Sequence, residues 1–375
     1  MKSGKIPSNH PSLDLRPGPL RTFTAGLTLF LLAACYYPTL PPSTPTTESL
    51  AKELVFYDWE DDMPQSVLDA FTEEYGVRIN YHFYESQEEA IANMKAGKIY
   101  DVVVMESRFI PHLVKEDLLA ELDQGNLPNL KNLSANFREL AYDPGNQYSS
   151  PYNWGTTGLI VRSDLVEEPV TRWADLWDPR YAGHVGIWMG QPREVISMAL
   201  KSLGYSANTE NPADLEAAYQ HLLELKPHVL TLDDFDPYSS IGVLAGGQAL
   251  FTMGEANEIL IAREANLTVA YVLPEEGALL WNDTFIIPAN SPNKYTAELF
   301  LNFLMRAEVN AKLANENLYA TPYEAAWPLI DPDLLNNPLI FPANEDLANA
   351  ELILPLSSEG QQLYDEIWER FTTAP

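Results

Sequence analysis

The chain has 375 residues and a formal net charge of -30, from 53 acidic against 23 basic residues. Such a surface repels phosphate backbones, which argues against a nucleic-acid partner, and it tolerates cationic small molecules. With 46% hydrophobic residues the length suffices for two domains with real cores, and a single cysteine, Cys35, excludes an internal disulfide and a cysteine-rich metal cluster.

In chain order, Lys2, Lys5, Arg16 and Arg21 precede an apolar run from Phe23 to Ala34, which ends Leu32-Ala33-Ala34-Cys35. A basic start, a short apolar run and small residues before the break read as a secretory signal over residues 1–34. The run is too short for a membrane-spanning helix, which needs about 20 residues. Leu-Ala-Ala-Cys resembles the lipobox of bacterial lipoproteins, which implies a lipid on Cys35 and a place in the periplasm or at the outer face of the cell membrane. Residues 35–50, rich in Pro and Thr, read as an extended tether.

Leu54–Tyr57 reads as a strand, Met63–Gly76 as a helix, Val77–Tyr84 as a strand, Glu88–Ala96 as a helix and Asp101–Met105 as a buried strand. Strand–helix–strand alternation indicates parallel pairing with crossover helices, and ligands of such sheets sit beyond the carboxyl ends of the strands. Trp59 and Glu60 leave the first strand, and Glu106 and Arg108 leave the third. Asn126–Gln147 reads as loop, and Ser150–Val161 as a strand passing into a second domain. A turn at Trp173–Trp177, a strand at Val185–Trp188 and a helix from Pro192 to Gly204 follow, with Gln191 before that helix and Glu194 in its first turn. Leu215–Lys226 reads as a helix, Ala249–Met253 as a strand ending at Gly254-Glu255, Ala256–Glu264 as a helix and Val269–Leu273 as a strand. One long amphipathic helix is expected over Asn293–Ala314, and a terminal helix over Gly360–Thr372.

The stretch Glu275–Pro288 (EEGALLWNDTFIIP) carries the chemistry. Residues two apart on a strand face the same way, so Trp281 and Asp283 present an indole and a carboxylate to one spot. That pair suits an organic amine: the ring attracts a cation and the carboxylate accepts its protons. A core Trp beside a turn Asp is the alternative on these residues alone. Neither a Walker loop, a dinucleotide glycine fingerprint, a Gly-x-Ser-x-Gly elbow nor a metal-ligand histidine spacing occurs. The pairs Asp61/Asp62 and Asp233/Asp234 read as solvated loop acids.

The ordered segments FYDWEDDMP, DVVVMES, SPYNWGTTGL, TRWADLWDPRYAG, QPREVISMALKSLGYS, AAYQHLLELKP, LPEEGALLWNDTFIIPAN and YATP resemble the spermidine/putrescine-binding proteins of bacterial polyamine ABC importers. The resemblance implies an α/β, two-lobed periplasmic-binding-protein fold, each lobe a mixed open sheet flanked by helices, joined by a hinge. It places lobe 1 at 51–157 and 283–328 and lobe 2 at 158–282 and 329–375. It implies a monomer that captures a polyamine without a cofactor or catalysis and delivers it to an ABC permease and ATPase. By position it marks Trp59, Glu60, Glu194, Trp281, Asp283 and Tyr319 as ligand-binding. Glu106 and Arg108 stand where the family has Ser and Tyr, Gln191 replaces an acid, Glu255 replaces a third Trp, and a late Gln falls near Ile353. Two readings of Arg108 stay open. Pairing with Glu106 leaves a polyamine site, and meeting a ligand carboxylate makes a site for a zwitterionic amine. An extracytoplasmic enzyme or a sensor on the same scaffold are the remaining alternatives.

Overall fold

A computed structural model of the chain describes residues 49–60, 62–230, 242–264 and 266–374. The signal and lipobox with Cys35, most of the tether, and the acids Asp61, Asp233 and Asp234 lie outside them. Residues from Glu48 onward form one compact unit.

The first half follows the apolar alternation of its sequence. Strands β1 (Glu53–Trp59), β2 (Arg78–Tyr84) and β3 (Val102–Glu106) pair in parallel, β1 between the other two. Helix α1 (Gln65–Tyr75) connects β1 to β2, and α2 (Gln87–Lys95) connects β2 to β3. Helix α1 stops at Gly76, whose φ of 68° is the left-handed cap that glycine adopts without steric cost. Helix α2 starts at Ser86, whose side chain accepts a bond from the Glu89 N–H. A short helix, α3 (Ile110–Lys115), follows the turn Ser107–Phe109.

Two long strands then run through the centre of the sheet. Strand β4 (Ser149–Val161) has 13 residues, about 40 Å at 3.3 Å each. The sheet order is β2-β1-β3-β8-β4-β6-β5, with β5 (Val185–Gly186), β6 (Phe251–Glu255) and β8 (Leu279–Ile286). Strand β7 (Ala270–Val272) pairs with β4, and β9 (Glu351–Leu352) with β8. Strand β8 is antiparallel to both β3 and β4, so the sheet is mixed.

The molecule is two-lobed, with separate apolar cores. Phe56, Phe71, Val104, Tyr152, Phe285 and Phe300 centre one core, and Leu159, Trp173, Ile196, Leu222, Phe251 and Phe371 the other. Helix α4 (Pro192–Ser202) is nearly all buried in the second, with α5 (Pro212–Leu225) and the terminal helix Ser358–Thr373 beside it. Ile330, Leu334 and Ile340, expected in the second lobe with residues 329–375, pack in the first core.

One expected element differs. The long helix over Asn293–Ala314 is two helices, Lys294–Leu304 and Ala307–Asn317, broken where Arg306 adopts an extended backbone (φ -65°, ψ 141°). The Arg306 guanidinium bonds both carboxylate oxygens of Glu74 at 2.8 Å and lies over the Phe303 ring. Both helices put their apolar stripes into the same core, so the periodicity continues across a break that no Gly or Pro announces.

Candidate functional site

Strand register builds the site. Glu106 at the end of β3 lies directly opposite Asp283 on β8. Thr157 on β4 is opposite both Glu255 on β6 and Leu279 on β8. Residues directly opposite share a face, and so do residues two apart. Glu255, Trp281, Asp283 and Glu106 therefore occupy one face of the sheet, although β3 packs in the first core and β6 in the second. Asp58 joins them, because Phe56 is opposite Val102. The β4–β8 register shifts between Pro151 and Trp154, a β-bulge that falls at Asp283. Bulges re-aim side chains and are common beside functional sites.

Carboxylates directly opposite one another repel, and burial strengthens the repulsion. Asp58, Asp62, Glu106, Glu194 and Asp283 are all buried, and Glu255 is half-buried. Burial pushes Glu106 up to about 7, with the neighbouring Arg108 opposing that rise and Glu194 adding to it. Burial likewise raises Asp62 to about 7. Asp283 is raised well above the usual carboxylate range by burial, then by Asp62 and Glu106. Asp58 is raised by burial and by Asp62, and Glu255 by burial and by Glu258, Asp283, Asp62 and Glu194. Among the described residues, Asp62 Oδ2, Glu106 Oε1 and Glu194 Oε2 are buried without a hydrogen-bond partner. Such oxygens are costly unless a donor arrives to satisfy them.

Arg108 is the cation inside this cluster. Its Nε donates to Glu106 Oε2 at 2.7 Å, and its Nη2 lies 3.7 Å from Glu194 Oε1 on α4, which packs in the second core. Glu194 stands in the first turn of α4, whose N-terminal dipole favours an anion there. Arg193 beside it turns away: its guanidinium donates to Ala207 O and Asn208 Oδ1, both at 2.9 Å, and covers the Tyr364 ring.

Aromatic rings wall the same region. The Trp281 ring meets Tyr319 edge-on at 5.5 Å, and both line a small crevice with Trp154, Gly155 and Ala256. The indole N–H of Trp281 is buried without a partner. Gly155 lies opposite Trp281, and a Cβ there would stand 2.4 Å from the indole, so the ring needs glycine beneath it.

Of the residues expected in the site, Glu106, Arg108, Glu194, Glu255, Trp281 and Asp283 come together, with Tyr319 against Trp281. Trp59 points to the opposite face at the strand's end and meets Tyr84 edge-on at 4.6 Å. Glu60 lies just past the end of β1 and is exposed to solvent. Gln191 caps the start of α4 without a side-chain cap bond and is half-buried.

Two acids were missed. Asp62, expected to be a solvated loop residue, is buried. Its loop is pinned by Tyr81, whose hydroxyl donates to Trp59 O at 2.8 Å, and by Tyr152, which donates to Asp62 O at 3.2 Å. Asp58 interrupts an otherwise apolar strand, and that interruption was the available signal. No cluster suited to a metal ion occurs among the described residues, and no helix there is long and apolar enough to cross a membrane.

The profile of the bacterial extracellular solute-binding proteins matches residues 66–341. The spermidine/putrescine-binding periplasmic protein of Escherichia coli is 35% identical over 327 residues, covering 84% of this chain and 90% of its own. A putrescine-binding periplasmic protein of Pseudomonas aeruginosa is 31% identical, covering 85% of this chain and 91% of its own. A solved structure of a putative spermidine/putrescine ABC transporter protein from Listeria monocytogenes superposes with a TM-score of 0.80 at 29% identity, over 87% of this chain and all of that one.

Proposed function

The chain belongs to the bacterial extracellular solute-binding protein family, and we propose that it captures a polyamine between its lobes and hands it to an ABC permease. The names of its relatives support a transport role rather than catalysis. One observation carries the ligand class. Buried carboxylates from both lobes converge with unpartnered oxygens on Asp62, Glu106 and Glu194, and the cation among them is already bound to Glu106. An ammonium supplies the missing donors, and the Trp281 and Tyr319 rings cover the methylenes between ammonium groups.

Burying four methylenes contributes roughly 3 kcal/mol, and two charge-assisted contacts add about 1.5–3 kcal/mol each. A zwitterionic amine fits less well, because the Arg108 guanidinium it would need already faces two carboxylates, Glu106 at 2.7 Å and Glu194 at 3.7 Å.

In this reading the lobes exchange chain at 157/158 and 282/283, and the bulged stretch of β4 and β8 acts as the hinge. Glu194 and Glu255 come from the second lobe, and Glu106, Arg108 and Asp283 from the first, so closure completes the site. Cys35 carries a lipid that holds the protein in the periplasm or at the outer face of the cell membrane, and the free hinge suits a monomer.

Isothermal titration with putrescine and spermidine tests the ligand class. Micromolar or tighter binding of either supports it. Binding of neither, beside tight binding of an anion or an amino acid, would overturn it.

A further inference from the structure

Between Trp281 and Asp283 stands a side chain that faces away from the ligand. Alternation along β8 turns Asn282 to the opposite face of the sheet, where it is buried. Its Nδ2 donates to Asn153 O at 2.9 Å and to Asp283 O at 3.1 Å, and its Oδ1 accepts from the Tyr142 hydroxyl at 2.7 Å. Two backbone carbonyls can meet only the NH₂ end of the amide, so its orientation is fixed and its oxygen is left to Tyr142.

These bonds fall on the β-bulge. Pro151 is opposite Thr284 and Trp154 opposite Asn282, so Tyr152 and Asn153 together face Asp283. A bulge leaves ladder groups unpaired. Here the Trp154 N–H turns to Ala320 O at 3.1 Å, and the Asn153 carbonyl is taken by the Asn282 side chain. The amide of Asn153 itself is buried without a hydrogen-bond partner, so the side chain that closes the bulge comes from β8. Tyr142 packs with Met105 and Ile286 in an apolar cluster behind the sheet. Its loop is tied down by the buried Asp143 carboxylate, which accepts from the N–H groups of Gln147, Tyr148 and Ser149 at 3.1, 3.0 and 2.8 Å. A fixed support thus reaches through Asn282 to the backbone of Asp283.

We propose that Asn282, oriented by Tyr142, is a positioning residue of the binding site: it holds the bulge that aims the Asp283 carboxylate at the ligand. This role rests on the polyamine reading above, in which Asp283 grips an ammonium; Asn282 and Tyr142 act from the other face of the sheet. Removing the Tyr142 hydroxyl leaves Asn282 Oδ1 without its donor, which frees the amide to turn and loosens the bulge.

Titration with putrescine and spermidine of the full-length wild type, Tyr142→Phe, Asp283→Asn and the double variant, beside a thermal melt of each, tests this. Tyr142→Phe is expected to weaken amine binding by about threefold to tenfold, the size of one lost hydrogen bond. In the Asp283→Asn background the same change should cost less than about twofold, because no carboxylate remains to be aimed and groups that act as a unit are non-additive. A merely structural role for Tyr142 lowers the melting temperature and affects affinity equally in both backgrounds. Asn282→Ala is expected to repeat the pattern with a larger loss. Unchanged affinity in Tyr142→Phe, or an equal fold-loss in both backgrounds, overturns the inference while leaving the polyamine reading standing. If the wild type binds neither amine, that reading fails and the inference with it. Should Asn282→Ala not fold, the comparison of Tyr142→Phe in the two backgrounds decides the matter alone.

Discussion

Lowering the pH should unload the ligand, and the carboxylates set both the range and the sign. Burial holds Asp62 and Glu106 near 7 in the empty protein, so at pH 7 each is about half protonated. A bound ammonium favours the charged form and drives those protons off. Binding at pH 7 is therefore expected to release about one proton, more if Asp283, Asp58 or Glu255 also lose theirs. Titration in two buffers of different ionisation enthalpy reads this number from the slope of observed heat against buffer heat. Below about pH 6 affinity should fall by about tenfold per pH unit for each coupled carboxylate. The empty protein obeys the opposite sign. The folded values lie above the unfolded ones, so folded Asp62 and Glu106 bind more protons between about pH 4 and pH 7. Stability is full below that window, is lost as pH rises through it and levels off above. For Asp62, about three units correspond to an upper bound of about 4 kcal/mol. Affinity unchanged from pH 5 to 8, or proton uptake on binding, would refute the reasoning.

Three substitutions extend the account. Asp283→Asn keeps the shape and removes the charge. A loss of about 1.5–3 kcal/mol, tenfold or more in affinity by titration, is expected without a drop in melting temperature, because the acid is buried opposite Glu106. Gly155→Ala puts a methyl 2.4 Å from the Trp281 ring, so the indole must tilt. An overpacking cost of about 1–3 kcal/mol should appear in the melt, with weaker amine binding and an altered tryptophan near-ultraviolet spectrum. Cys35→Ser should move the protein from the membrane fraction to the soluble extracytoplasmic fraction and abolish labelling by a radioactive fatty acid; retention of the label would exclude Cys35 as the lipid site.

Much of the fold was legible because β1 and β3 are short, largely apolar runs, and the two helices that connect β1, β2 and β3 start after Pro64 and Ser86 and stop at or just before a glycine, Gly76 and Gly97. The pairing of Trp281 with Asp283 was legible too, since strand alternation fixes it. What periodicity could not show is where the loops fold back. Asp62 reads as one acid in an acidic turn, and its burial comes from Tyr81 and Tyr152, the latter distant in sequence and reached through the sheet. Glu60 and Asp58 flank Trp59 in sequence, yet only Asp58 lies on the face that carries Asp283, because β1 ends at Trp59 and Glu60 leaves the sheet. The break at Arg306 was invisible for a related reason: both helices face one core, and the bond to Glu74 that holds the turn comes from α1.

A crystal structure of the protein with spermidine bound tests the central claim most directly. The account predicts the amine between the lobes, with its ammonium nitrogens about 2.7–3.2 Å from Glu194, Asp283 and Asp62 and its methylenes against Trp281. An amine lying outside the inter-lobe face, or those carboxylates turned to protein donors while the ligand sits elsewhere, would contradict it.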